Sequence, residues 1–153
     1  MIKANRGKYF EEFVQGEEYL TDSRVITEND ITDFAKISGD YNKIHTNAEY
    51  AKESLYGERI AHGLLGLTVI SGLASKLGFT EGTIISLREI NWKFRKPVKI
   101  LDEIEGSFVV DRKRDLAGID GGMINFKVEV TNQKKEIVQS GKWAMIIKNK
   151  PID

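Results

Sequence analysis

One apolar segment near the middle of the chain constrains the fold more than any other feature. Residues 62–77, HGLLGLTVISGLASKL, place leucine, isoleucine, valine or alanine on nearly every side of a helix, and Gly78 follows as a C-terminal cap. A helix that is apolar nearly all round must be buried, so the rest of the chain has to enclose it. The segment is too short, and too interrupted by glycine and serine, to span a bilayer.

After residue 78 the apolar period changes to two, which predicts strands. The apolar positions of the four runs are Ile90, Trp92 and Phe94; Ile104, Phe108 and Val110; Ile124, Phe126, Val128 and Val130; and Ile137, Trp143, Met145 and Ile147. The connections are mostly short and turn-like, so we expect the four strands to pair antiparallel as a meander. One earlier strand is predicted within EEYLTDSRVI, residues 17–26.

Two short helices are predicted before the long one. Residues 28–37 carry apolar side chains at helical spacing, and Thr27 is a suitable N-cap. Thr46 stands three residues before Glu49, the spacing of a capping box, which predicts a second helix from there. The chain is therefore expected to be one α+β domain, 1–153, in which a sheet with a polar outer face wraps the central helix.

Composition excludes several kinds of function. Lysine plus arginine and aspartate plus glutamate both number 23, so no broad positive field is available for nucleic acid or an acidic membrane. There is no cysteine, which rules out thiolate metal sites and thiol nucleophiles. We expect no metal and no cofactor. The first residues contain no apolar leader segment, so a cytoplasmic location is expected.

The stretch SGDYNKIHTNAEY, residues 38–50, contains the leading catalytic candidates. Asp40 and His45 lie five positions apart in the turn between the two short helices. A carboxylate and an imidazole aimed at one point can hold a water molecule and move its proton. We expect Asp40 to be partly buried. The structural alternative is an aspartate that only bonds the backbone of its own turn.

The segment AHGLLG, residues 61–66, supplies a second element. His62 is not a usual capping residue, so the first amides of the long helix are left for an anionic ligand, and Gly63 would let a carbonyl approach closely. Tight helix packing is the alternative reason for Gly63, and a polar group at the helix start is the alternative for His62. Ser71 lies on broadly the same side of the helix as Gly63. Lys93, Arg95 and Lys96 are candidates for phosphate contacts.

Taken together, these segments resemble the MaoC-like branch of the hotdog superfamily, the (R)-specific enoyl-CoA hydratases and dehydratases. The resemblance covers nearly the whole chain. The segments that carry it are GKYFEEFVQGE, ITENDITDFAKISGDYNKIHTNAEYAKES, RIAHGLLGLTVISGL and NWKFRKPVKILDEI. The most specific part is an aspartate, four residues, a histidine, and later His-Gly followed by a helical serine.

The resemblance implies a hotdog fold, a homodimer with active sites near its interface, and a hydro-lyase that adds water to a trans-2-enoyl thioester of CoA or acyl carrier protein. It assigns Asp40 and His45 as the catalytic pair, Gly63 as the oxyanion donor and Ser71 as a supporting polar group. Asn42 would shape the loop. Leu55, Tyr56 and Leu67 are further candidates to contact the acyl chain. A hotdog thioesterase and a non-catalytic acyl-thioester binding module remain the alternatives.

Overall fold

The long apolar helix lies where the sequence predicts. The computed structural model describes residues 6–153. Helix α4 spans Gly63–Leu77 and ends at Gly78, whose left-handed backbone (φ 76°) permits the cap. Its buried side chains, among them Val69, Ile70 and Leu73, pack into the main hydrophobic core. Within residues 6–153, no helix is long and apolar enough to cross a membrane.

The strands form one antiparallel sheet with a short sixth strand at its side. The strands are β1 (Glu18–Leu20), β2 (Arg24–Val25), β3 (Ile84–Phe94), β4 (Glu103–Asp115), β5 (Gly121–Thr131) and β6 (Ile137–Lys148). The sheet order is β1-β4-β5-β6-β3, and β2 pairs with β4. The inward positions of β4 and β5 match the predicted period, since Phe108, Phe126 and Val128 are fully buried.

Two of the strand predictions need correction. The four long strands do not form a simple meander, because β3 pairs with β6 rather than with its successor β4. The chain from residue 95 to 102 carries β4 across to the far side, which leaves β3 at an edge. The earlier segment forms two short strands instead of one, since regular pairing is interrupted between Leu20 and Arg24, although both pieces run antiparallel to β4.

The short helices also differ in detail from the prediction. Helix α1 spans Glu28–Ser38, with Thr27 accepting a hydrogen bond from the Asp30 amide, as expected. The next segment divides into α2 (Lys43–Thr46) and α3 (Ala48–Lys52). The capping prediction for Thr46 is wrong. Asn47 caps α3 instead, accepting from the Tyr50 amide at 2.9 Å, and Thr46 donates to the Tyr41 and Asn42 carbonyl oxygens at 3.1 and 3.2 Å.

Candidate active site

The end of α1 fixes Asp40. Gly39 adopts a left-handed conformation (φ 77°) that ends the helix, and the next residue turns away from the helix axis. The Asp40 backbone amide donates to Ser38 Oγ at 3.1 Å. The Asp40 side-chain Oδ1 accepts from the Asn42 amide at 3.1 Å. Contrary to the expectation of partial burial, Asp40 is exposed. Asn42 lies at the N-terminus of α2 and accepts from the Ile44 amide, so it does shape this loop.

His45 lies within α2 rather than in an irregular turn, and it is half-buried. Its Nδ1 is 2.7 Å from the carbonyl oxygen of Ile60. A carbonyl oxygen only accepts, so Nδ1 carries the hydrogen and Nε2 carries a lone pair. The backbone of the segment before α4 therefore sets the tautomer of His45 and leaves Nε2 as a proton acceptor.

His62 lies behind His45 and is only 3% exposed. The imidazole rings of His45 and His62 stack with their centroids 4.0 Å apart and their planes inclined by 29°. The Phe34 ring also packs against His62, with the two ring centroids 4.8 Å apart. His62 Nε2 is 2.9 Å from the backbone carbonyl oxygen of Asp40. Its Nδ1 is buried and has no hydrogen-bond partner among the described residues.

The N-terminus of α4 presents a free amide. The first helical carbonyl, that of His62, accepts from the Leu65 and Gly66 amides, while no side chain caps the helix. Within the described residues the Gly63 N–H has no acceptor. A Cβ on Gly63 would lie 2.7 Å from a ring carbon of Phe94, so glycine is needed for this contact. The helix dipole and the free N–H suit an oxyanion.

Asp40, His45 and His62 also form a potential metal-ligand group, with one ligating atom from each within 4.8 Å of the others. Nitrogen lone pairs lie in the ring plane, and zinc binds imidazole nitrogen at about 2.0–2.1 Å. Two nearly parallel rings 4.0 Å apart do not direct their lone pairs to one such point. The geometry therefore does not fit one metal ion shared by both histidines.

A cavity of about 420 Å³ opens beside these groups. Its lining consists of His45, Tyr56, Ile60, Ala61, Gly63, Leu64, Phe94, Arg95, Lys96, Pro97, Val98 and Gln139. Five of the predicted site residues therefore meet at one cavity, namely His45, Gly63, Tyr56, Arg95 and Lys96. The lining combines apolar residues with the cationic Arg95 and Lys96, and a pocket for an acyl chain attached to an anionic carrier needs both kinds of residue.

The other predicted site residues lie elsewhere. Asp40 is next to His45 but outside the cavity lining, and His62 is buried behind it. Ser71 is exposed on α4, and Leu67 packs against the hydrophobic core. Lys93 lines a separate groove of about 570 Å³ on the polar outer face of the sheet, a groove that Arg95 also borders.

Gln139 is a site residue that the sequence analysis missed. It is 2% exposed, lines the cavity, and donates from Nε2 to the Gly63 carbonyl oxygen at 3.0 Å. Its Oε1 accepts from the Trp92 indole N–H at 2.9 Å. The signal was present in the sequence, because Gln139 occupies an inward position of β6 between Ile137 and Trp143, where an unpaired amide would be costly.

A curved antiparallel sheet around one central helix, with the candidate groups at the N-terminus of that helix, defines a protein of the hotdog class. The family model of the MaoC like domain matches residues 12–135. The chain belongs to the MaoC-like domain family.

Several characterised or solved proteins are similar to this chain. Protein MaoC of Klebsiella aerogenes is 38% identical over 69% of this chain and 31% of its own length. The (R)-specific enoyl-CoA hydratase of Rhodospirillum rubrum is 33% identical over 67% of this chain and 69% of its own. The X-ray structure of a monoamine oxidase regulatory protein from Archaeoglobus fulgius superposes with a TM-score of 0.90, at 32% identity, covering 97% of this chain and 99% of that one. The match therefore spans less than a third of the first of these relatives.

Proposed function

We propose that the protein is an (R)-specific enoyl-CoA hydratase, which adds water reversibly to a trans-2-enoyl thioester to give an (R)-3-hydroxyacyl thioester. The observation that carries the proposal is that the Asp40 carboxylate lies within 4.8 Å of a His45 ring nitrogen, while His45 and Gly63, with its free amide, line one cavity. The similarity to the Rhodospirillum rubrum hydratase supports the same reaction class. An enzyme that catalyses this reaction is a hydro-lyase.

The mechanism follows from the hydrogen-bonding capacity of these groups. Both Asp40 and His45 Nε2 are acceptors, so a water molecule between them donates both hydrogens and presents an oxygen lone pair to the substrate. Asp40 takes one proton as the water oxygen bonds to C3, and the C2–C3 double bond becomes an enolate. The Gly63 N–H donates to the enolate oxygen. Asp40 then returns its proton to C2 on the same face, which completes a syn addition.

The cavity accounts for the two ends of the substrate. Tyr56, Leu64 and Phe94 offer apolar or aromatic surface to the acyl chain. Arg95 donates from Nε to Ser140 Oγ at 2.6 Å, so its terminal nitrogens remain available for phosphate oxygens of the carrier. Lys96 is paired with Glu136, which reduces the charge that it offers.

We further propose that the protein acts as a homodimer built on strand β3. This strand is an edge of the sheet, eleven residues long, and bears exposed Ile84, Ile85, Leu87 and Phe94. A long edge strand with exposed apolar side chains is uncommon in a monomer. A second copy pairing there would cover Phe94, a cavity residue, and would place the candidate site next to the interface.

The competing functions predict different products. A thioesterase would release free CoA from the thioester. A non-catalytic binding module would bind an acyl thioester without turnover. The similar Archaeoglobus structure is named as a regulatory protein. The assay is to follow enoyl absorbance of crotonyl-CoA and of a medium-chain trans-2-enoyl-CoA while free thiol is measured in parallel.

Asp40→Asn should lower the hydration rate by about 10²- to 10⁴-fold, the usual contribution of a positioned acid or base. Asp33→Asn is the matched control, because Asp33 is exposed on α1 and makes no side-chain hydrogen bond or ion pair within the described residues. Full hydratase activity in a folded Asp40→Asn protein would exclude the mechanism. Thiol release would favour the thioesterase, and binding without turnover the non-catalytic module.

A further inference from the structure

We propose that His62 is a positioning residue, which holds the Asp40 backbone and the His45 ring in the arrangement that the shared water requires. The inference rests on the proposed function but makes a structural claim that can be measured without it. His62 contacts both groups of the catalytic pair while remaining outside the cavity.

The contact with Asp40 is a hydrogen bond of defined direction. The Asp40 carbonyl oxygen only accepts, so His62 Nε2 must carry the hydrogen and donate across 2.9 Å. Asp40 is otherwise held by bonds within its own turn, to Ser38 and Asn42. Among the described residues, the hydrogen bond from His62 is therefore the one that joins Asp40 to the start of α4, across 22 positions of the chain.

The contact with His45 is made through the ring face. The stacked imidazoles, 4.0 Å apart, restrict rotation of the His45 ring about its side-chain bonds. The bond from His45 Nδ1 to Ile60 fixes one edge of the same ring, and the stack fixes its plane. Nε2 is thus aimed by two independent contacts. His62 is itself held by the Phe34 ring on α1.

His62 also directly precedes Gly63, whose amide is the proposed oxyanion donor. Its side chain does not cap the helix, so the Gly63 amide remains free for the enolate oxygen. The buried His62 side chain therefore connects the loop of Asp40, helix α2 with His45, and the start of helix α4 with Gly63. A residue chosen only to cap α4 would instead accept from the first-turn amides.

The test compares three substitutions of His62. In His62→Gln the side-chain nitrogen can occupy the place of Nε2 and still donate to the Asp40 carbonyl. In His62→Asn it occupies the place of Nδ1 and is too short to reach. In His62→Phe the ring stack remains without a donor. We expect His62→Asn and His62→Phe to lower kcat for crotonyl-CoA by about 10- to 100-fold, since small displacements of a reacting group have effects of this size.

KM should change by less than about threefold in each variant, because His62 does not line the cavity. His62→Gln should recover at least part of kcat relative to His62→Asn. Thermal unfolding of all three variants separates lost structure from lost positioning. Unchanged kcat in folded His62→Asn and His62→Phe proteins would overturn the proposal. So would equal decreases of kcat in all three variants that parallel the decreases in their unfolding temperatures.

A second measurement does not depend on activity. The chain has only two histidines, so long-range 1H–15N spectra of the wild-type protein contain just two sets of imidazole signals, from which both tautomers can be read. We expect the Nδ1–H form for His45 and the Nε2–H form for His62. An Nδ1–H tautomer at His62 would remove the donor and overturn the proposal. If the tautomers are as expected but no enoyl thioester is hydrated, the proposed function fails and the structural role of His62 stands.

Discussion

At the scale of single residues, the site depends on which cations face the cavity. The sequence offers Lys93, Arg95 and Lys96 as equivalent candidates, since all three are cationic and close in the chain. In the structure Arg95 and Lys96 line the cavity, whereas Lys93 lines the outer groove. Strand β3 ends at Phe94, so Arg95 and Lys96 lie where the chain leaves the sheet, and Arg95 borders both the cavity and the outer groove.

Arg95→Ala should raise KM for crotonyl-CoA by about 10- to 100-fold and leave kcat nearly unchanged. A hydrogen bond to a charged group contributes about 1.5–3 kcal/mol, and this bond forms equally with substrate and transition state. Lys93→Ala is the matched control and should change KM by less than about twofold. Steady-state kinetics over a range of substrate concentrations measures both. A larger effect at Lys93 than at Arg95 would place the phosphates in the outer groove instead.

At the scale of elements, the segment before β1 is joined to the sheet by a partly buried charged group. Lys8 Nζ donates to both Glu17 oxygens, at 3.0 and 2.9 Å, and to Tyr19 Oη at 2.6 Å, while the Tyr19 hydroxyl donates to Glu17 at 2.7 Å. Partial burial raises the pKa of Glu17, but the hydrogen bonds from Lys8, Tyr19 and the Val14 amide outweigh burial and hold it below the ordinary 4.5.

This pKa shift predicts a pH dependence of stability. A carboxyl group whose folded pKa is depressed stabilises the fold above its unfolded pKa, near 4.5, and the contribution is lost as the pH falls through the lower folded pKa. Glu17→Gln should therefore be less stable than wild type at pH 7, and the difference should shrink below about pH 4.5. Urea unfolding at pH 7 and pH 3 tests this. A difference that is constant across both pH values would show that the Glu17 charge does not stabilise the fold.

At the scale of the whole molecule, β3 and β1 are the two edges of the sheet, and they are not equivalent. Strand β1 is three residues long, whereas β3 has eleven residues with exposed apolar side chains. A short edge offers few backbone groups to a second chain, while a long one offers a continuous row. The proposed dimer therefore belongs at β3.

Leu87→Lys should convert the proposed dimer to a monomer, because it introduces a charge on the β3 edge. Leu20→Lys, an exposed leucine on β1, is the matched control and should leave the assembly unchanged. Light scattering after size exclusion gives the mass, expected at twice the 17.3 kDa chain mass for wild type and the control. A wild-type mass of 17.3 kDa, or dissociation by Leu20→Lys alone, would contradict the β3 interface.

The sequence by itself predicted the elements whose signals are local. The position of α4, the extent of α1 and the inward faces of β4 and β5 follow from side-chain periods that any segment carries within itself. The prediction that α4 is enclosed on all sides is wrong, because Leu64, Thr68 and Ser71 lie on an exposed side of the helix. The proximity of Asp40 and His45 was also predicted, because the two are five positions apart in the chain and resemble a known motif. That they act as a catalytic pair stays a prediction.

Tertiary structure decided whatever depends on contacts between distant segments. The pairing of β3 with β6, the contact of Gln139 with Gly63 and the position of His62 behind His45 join residues far apart in the chain. No local period encodes such pairs, because they arise only when the sheet closes around α4. The surroundings of Ser71, Leu67 and Lys93 were decided in the same way, since Leu67 packs against the core while Ser71 is exposed and Lys93 lines the outer groove.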